Sequence, residues 1–316
     1  MVHGILLFVG VVLATGVVIS ATAIWLMASA LMRPPRMTDG KALYLLRRLS
    51  PADLAMPFEQ MDFSVRDEHE KPLKIAGWWI PNTNANGRCA VLIHGYADAK
   101  VGALAWAPVW HSLGFNLYLP DLRAHGESGG TACTGGYYER DDISQAIDQL
   151  RVGRPKDARQ IILFGASLGA AVALAVATER TDISGVVMDS PFADFASASA
   201  AHMGRLGLPG KVFQKPAIDL ARRLSNAEYA AVSPLRLLMK KEFPTLLILP
   251  EADPFLTSAD RERMRTLVDA EFIWNVPNVA HLMALAANPT EYARRLYEFT
   301  ETATRAPLRR SGKEEP

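Results

Sequence analysis

Apolar residues run from Gly4 to Met32 without one charged position, and beyond them the chain breaks into short apolar segments separated by polar ones. The first run exceeds the roughly 20 apolar residues that a bilayer-spanning helix needs. Arg33-Pro34-Pro35-Arg36 ends it, because proline lacks an N–H and its ring clashes with the preceding turn. Met37 to Pro57 suits a juxtamembrane segment with a short helix around Lys41–Leu49, whose Leu43, Leu46 and Leu49 face either the bilayer or the following domain. Met61–Val65 and Leu73–Ile80 alternate around the polar turn Asp67–Lys71, a pattern that predicts a hairpin. Pro81 to Arg88 reads as a loop, and a helix is expected over Gly102–Leu113. Short apolar runs then recur at Ala90–Ile93, Asn116–Leu119, Ile161–Phe164, Gly185–Met188, Thr245–Leu249 and Glu271–Val276. Helical stretches separate most of them, so the expected fold is α/β, a mostly parallel central sheet with helices on both faces.

Between Phe192 and Pro234 this rhythm lapses: Ala196–Ala201 and Pro216–Leu224 read as helices around a Gly/Pro-punctuated stretch, Gly204–Gly210. Such a long insertion is either surface elaboration or a helical cap, at about 193–234, over a ligand site, and the cap is the favoured reading. Its Met203, Leu206, Leu208, Phe213 and Leu220 are candidates to line an apolar pocket, although core packing accounts for them equally. A last helix is expected from Pro289 to Thr302, and the charged tail, 303–316, reads as disordered. The expected organisation is thus an anchor over 1–36, a juxtamembrane segment over 37–60, and a catalytic domain over 61–302.

The 316 residues include 49% hydrophobic ones, enough for a sizeable core, and carry a formal net charge of +1. No charge excess, basic patch or P-loop points to nucleic acid or nucleotides. Cys89 and Cys133 belong to no metal-spaced cluster and read as buried free thiols. The seven histidines include no H-E-x-x-H, so a metalloprotease is not expected; no metal or other cofactor is called for. Ala28-Ser29-Ala30 has the look of a signal-peptide cleavage site. Yet Met1-Val2-His3 has no Lys or Arg and the apolar run is too long for a signal h-region, which favours a retained anchor. Arg33, Arg36, Lys41, Arg47 and Arg48 follow the span, placing the bulk of the chain on the cytoplasmic side.

The chemistry centres on Gly165-Ala166-Ser167-Leu168-Gly169, a G-x-S-x-G between an apolar run and the helical Ala170–Ala175. At a strand-to-helix turn this pattern projects the serine hydroxyl from the sheet edge. A serine nucleophile needs a general base, and the base needs an orienting group. Asp253 follows the run Thr245–Leu249, and His281 follows Glu271–Val276. Ser167, Asp253 and His281 therefore form the candidate triad, in the chain order such sites follow. Glu251, Asp189 and Asp194 remain alternative carboxylates. Backbone N–H groups of Leu168 and Tyr96 are candidate oxyanion donors, and His94 reads as a loop-shaping residue.

Leu92-Ile93-His94-Gly95-Tyr96, Pro120-Asp121-Leu122-Arg123-Ala124-His125-Gly126-Glu127-Ser128 and the Ser167 pentapeptide together resemble an α/β-hydrolase. The flavour is that of the serine-aminopeptidase-like and monoglyceride-lipase-like branch, which includes membrane-anchored serine hydrolases. The resemblance covers Met61 to Thr300. Ala124, Pro250 and Ala280 stand where that pattern usually has glycine. It implies an esterase, thioesterase or lipase acting on a small-molecule ester or lipid, with Asp121–Ser128 shaping a loop and His125 outside the chemistry. A peptidase on the same fold, or a non-catalytic binding protein, are the alternatives it leaves.

Overall fold

Runs such as Ile161–Phe164 and Leu246–Leu249 carry apolar side chains on both strand faces, and only a sheet covered on both sides buries them. The computed structural model describes residues 2–205 and 210–305, with the side chains of 203–205 and 210–211 left out. α1 (Val2–Met32) and α2 (Asp39–Leu46) precede β1 (Glu59–Gln60), β2 (Phe63–Arg66), β3 (Pro72–Ile75), β4 (Gly77–Ile80) and β5 (Arg88–Ile93). α3 (Lys100–Ala103) and α4 (Ala107–Ser112) lead to β6 (Asn116–Pro120), and α5 (Tyr137–Gly153) leads to β7 (Gln160–Ala166). Next come α6 (Leu168–Glu179), β8 (Ile183–Asp189), α7 (Phe195–Arg205), α8 (Gly210–Ser225), α9 (Pro234–Leu238) and β9 (Thr245–Pro250). α10 (Ser258–Arg265), β10 (Ile273–Val276), α11 (Ala284–Ala287) and α12 (Pro289–Arg305) follow.

Among the described residues the main sheet runs β1-β4-β6-β5-β7-β8-β9-β10. β1 and β4 join antiparallel, and the strands from β6 to β10 are parallel. This is an α/β-hydrolase sheet. β5 pairs with β6 on one side and β7 on the other, so the winding direction reverses there. Ligands of open parallel sheets bind outside the carboxyl ends of the strands at such a reversal.

α6 shows how sequence sets packing. Leu168 to Ala177 are all buried, as expected of a helix apolar on every side. It lies against β5, β7, β8, α5 and α9. A Cβ added to Gly169 would sit 2.1 Å from the Ile93 carbonyl oxygen and 2.7 Å from that of His94. Glycine alone lets this helix approach β5 so closely.

The structure departs from the pattern reading in several places. Leu73–Ile80 is two strands: β3 pairs with β2 in a separate hairpin and β4 enters the main sheet. The split falls at Ala76, whose N–H donates to Ser128 Oγ and whose carbonyl accepts from Asp121 N–H. The helix expected over Gly102–Leu113 is the pair α3 and α4, because Pro108 sits at the start of the second. α8 begins six residues before Pro216 and runs through it. Val212, four residues earlier, whose carbonyl Pro216 has no N–H to bond, is exposed. α12 continues past Thr302 to Arg305 with Ala303 buried beside Gly185. The rest of the tail, 306–316, lies outside the described residues, as do the side chain of Met203 and all of Leu206 and Leu208.

The two helices α7 and α8 occupy the insertion after β8. Phe213 and Leu220 pack toward α1. α1 is apolar and exposed over its first two-thirds, then buries Met27, Ala28, Leu31 and Met32.

Gly169→Ala is expected to destabilise the fold by about 3 kcal/mol, read as a lower urea midpoint, because backbone rather than a flexible side chain occupies the space. Gly153→Ala, with nothing within 4 Å of the new Cβ, is the control and should change stability by less than about 1 kcal/mol.

Candidate active site

β7 delivers Ser167 to the switch point. Its φ is 54° and ψ −111°, a conformation few non-glycine residues adopt and one that stores strain. Ser167 N–H donates to the Asp189 carbonyl at 2.9 Å, while Ala170 N–H returns to the Ser167 carbonyl at 3.0 Å. The turn is therefore held from β8 and from α6. A Cβ on Gly165 would lie 2.1 Å from the Gly169 carbonyl oxygen, so the pentapeptide closes on itself only with both glycines.

Asp253 lies just beyond β9 and His281 beyond β10. His281 Nδ1 and Asp253 Oδ2 are 2.6 Å apart, with the carboxylate side chain 1% exposed and the imidazole 17%. Asp253 Oδ1 accepts from Phe255 N–H at 2.8 Å, so both carboxylate oxygens are engaged. That bond fixes the proton on Nδ1 and leaves Nε2 as the free lone pair. The Phe255 ring packs edge-on to the imidazole at 4.7 Å.

The other carboxylates are placed elsewhere. Glu251 is exposed. Asp194 accepts from Ser197 N–H at 2.8 Å, at the start of α7. Asp189 is fully buried and accepts from Tyr292 O–H at 2.8 Å, Trp106 Nε1–H at 3.2 Å and Ser190 O–H at 2.8 Å. Burial raises its pKa despite these donors.

Ser167 and His281 line one cavity of about 290 Å³, together with Tyr96 and Leu168. Its apolar wall comes from Leu31, Phe192, Phe195, Ala198, Phe255 and Leu282, so Phe213 and Leu220 are not part of it. Leu168 opens α6, and a first-turn N–H has no partner within its helix. Gly95 brings the next loop close: a Cβ there would lie 3.4 Å from Ser167 Cβ. His94 is buried, donates from Nδ1 to the Gly95 carbonyl at 2.7 Å and accepts Leu122 N–H on Nε2 at 3.0 Å. Burial depresses its pKa well below the usual value, which keeps it neutral in this structural role.

Several supporting residues escaped the sequence reading. Ser190 passes the Asp189 anchorage on by accepting Leu282 N–H at 2.9 Å, next to His281. Asp189-Ser190 at a strand end was a visible signal. Trp106 and Tyr292 left none, since they lie 83 and 103 residues from Asp189.

The family model for the alpha/beta hydrolase family matches residues 90–295, more than half of the chain. The chain belongs to the alpha/beta hydrolase family. It is 27% identical over 262 residues to the uncharacterized protein YqkD of Bacillus subtilis (strain 168), covering 79% of this chain and 83% of that one. It is 24% identical over 144 residues to the uncharacterized membrane protein YNL320W of Saccharomyces cerevisiae, covering 45% and 49%. Among solved structures it is similar to the esterase Pf2001 of Pyrococcus furiosus, with a TM-score of 0.66, 23% identity, and coverage of 85% and 98%.

Within this alpha/beta hydrolase the Asp121–Ser128 loop is held by ion pairs, with Asp121 and Arg123 buried and Glu127 reaching solvent. Lys100 Nζ lies 2.8 Å from both Asp121 and Glu127. Arg123 makes a two-pronged pair with Asp142 at 2.6 and 2.7 Å. His125 Nδ1 bonds the Arg123 carbonyl at 2.8 Å, and its ring stacks edge-on with His94 at 5.1 Å.

Asp98 also lines the cavity. Burial pushes its carboxyl from 3.8 up to about 6, against the pull of the Ala99 N–H bond. Between those values the folded chain keeps a proton that the unfolded chain has released, so stability falls as pH rises through the window and stays reduced above it. Asp98→Asn removes that loss. Its thermal unfolding should show a gain on the order of 2 kcal/mol at about pH 8 that shrinks toward zero near pH 4.

Proposed function

We propose that this chain is a membrane-anchored serine hydrolase that cleaves carboxylic esters, thioesters or lipid acyl groups through Ser167, His281 and Asp253. The observation that carries the reading is the 2.6 Å Asp253–His281 bond on the wall of the cavity that also holds the strained Ser167. Ser167 Oγ attacks the acyl carbonyl carbon while its proton passes to His281 Nε2. Asp253 accepts the Nδ1–H and stabilises the imidazolium that forms. The N–H groups of Leu168 and Tyr96 receive the carbonyl oxygen as it becomes an oxyanion. Collapse expels the alcohol or thiol, which takes the proton from Nε2 and leaves an acyl-serine. Water, deprotonated by the same nitrogen, then releases the acid and restores Ser167. The apolar wall supports an acyl substrate, and the name of the Pyrococcus furiosus esterase supports esters over amides.

The anchor rests on α1. Its 31 residues exceed a bilayer span, and Leu7, Phe8, Val17 and Val18 present apolar side chains outward. The yeast relative's description as a membrane protein agrees with this. Cleavage after Ala30 would strip Met27 and Ala28 from their packing on the domain, which favours retention over signal processing. The basic residues after the span favour the cytoplasmic face for the domain.

In the full-length protein, Ser167→Ala is expected to abolish fluorophosphonate labelling and cut kcat for ester hydrolysis on the order of 10⁵–10⁶-fold. Unaltered hydrolysis would sink the reading. The protein should also remain in the membrane pellet after carbonate extraction, with an intact mass that still contains residues 1–30. A soluble product lacking them would identify a signal peptide instead.

A further inference from the structure

Pro34 and Pro35 do more than stop α1. Each lacks the N–H that would bond the carbonyl four residues earlier, so the carbonyls of Ala30 and Leu31 are left without helical partners. The Ala30 carbonyl accepts the Tyr96 hydroxyl at 2.5 Å. The next carbonyl with a partner, that of Met32, accepts Cys133 N–H at 2.7 Å. Arg36 then donates to the carbonyls of Gly126, Ser128 and Gly130 at 2.7, 2.7 and 2.9 Å. The end of α1 is thus bound to two loops at the carboxyl edge of the sheet. Leu31, 7% exposed, lines the cavity together with Ser167 and Phe195.

We propose that the last turn of the membrane helix is part of the substrate site. Leu31 forms a wall of the acyl cavity, and the Ala30 carbonyl positions Tyr96, so the substrates are lipid esters whose acyl chain lies beside α1. This rests on the serine-hydrolase reading. Two observations carry it. The apolar exterior of α1 continues without a charged residue into the cavity wall at Leu31. The residue whose N–H is the proposed oxyanion donor is also the one whose side chain is tied to α1. Ala30 and Tyr96 are positioning residues in this scheme, since Tyr96 reaches the oxyanion through its backbone while its hydroxyl holds the loop.

The test uses full-length protein in lipid nanodiscs, with p-nitrophenyl acetate and p-nitrophenyl decanoate as substrates. Leu31→Trp should lower the decanoate-to-acetate ratio of kcat/KM by about tenfold, through KM for the longer ester. Leu31→Ala should move the ratio the opposite way. Tyr96→Phe, which loses only the hydroxyl, should lower kcat for both esters roughly fivefold with KM changed less than about twofold. In a Ser167→Ala background, Leu31→Trp should weaken binding of a dansyl-labelled undecanoate probe by about tenfold. An unchanged chain-length ratio in both Leu31 variants, unchanged probe binding, or an unchanged kcat in Tyr96→Phe overturns the proposal. Absence of Ser167-dependent hydrolysis in the parent protein would overturn the hydrolase reading instead, while the probe still decides whether Leu31 bounds an acyl cavity.

Discussion

Gly169 lies against the carbonyls of Ile93 and His94 at a separation no Cβ would permit, and the geometry of the site descends from this contact. It brings α6 against β5, so the helix start stands directly beside the loop that follows Ile93. Leu168, whose N–H is unbonded within its helix, and Tyr96 both line the same cavity. The same closeness forces the chain through Ser167 at a positive φ. Strain at this one residue is held by bonds from β8 and α6, which have no freedom to relax inside the core. The proposed nucleophile is positioned by backbone bonds and by packing of the sheet.

The opposing wall depends on buried polar groups that are paired with care. Asp189, out of contact with solvent, is surrounded by donors from Trp106, Ser190 and Tyr292. A buried carboxyl without them would be costly. Through Ser190 the arrangement reaches Leu282 and so steadies the loop bearing His281. Asp253 sits in the same condition, with one oxygen on Phe255 N–H and the other toward His281. Orientation of the imidazole is thus set twice, by its ring partner and by its backbone neighbour.

In the proposed reading, α1 links this site to a membrane. Its outer portion is apolar on all sides, which water does not favour and a bilayer does. Its last turn is bonded to the catalytic domain through Tyr96, Cys133 and Arg36. An anchor attached by a free linker would leave the site indifferent to the membrane. In the proposed arrangement the tether and the cavity wall are one helix, which would give the active centre a fixed position relative to the span.

Local pattern determined a good deal of this molecule. The unbroken apolar run to Met32, the strand-length runs at Ile161 and Thr245, and the spacing of the Ser167 pentapeptide are properties of neighbouring residues, and periodicity and glycine placement report them directly. The candidate residues Ser167, Asp253 and His281 were legible for the same reason, since each follows a strand whose end the topology collects at one edge. Tertiary structure decided what no local window contains. It split Leu73–Ile80 at Ala76, because Ser128 and Asp121, some fifty residues away, take the bonds that would have continued the hairpin. It chose Asp253 over Asp189 and Asp194 as the partner of His281, since burial and donors differ among carboxylates that read alike in sequence. It set Leu31 beside Ser167 and bound Tyr96 to Ala30. Such contacts join segments far apart in the chain, and their free energy exists only once the core has closed around them.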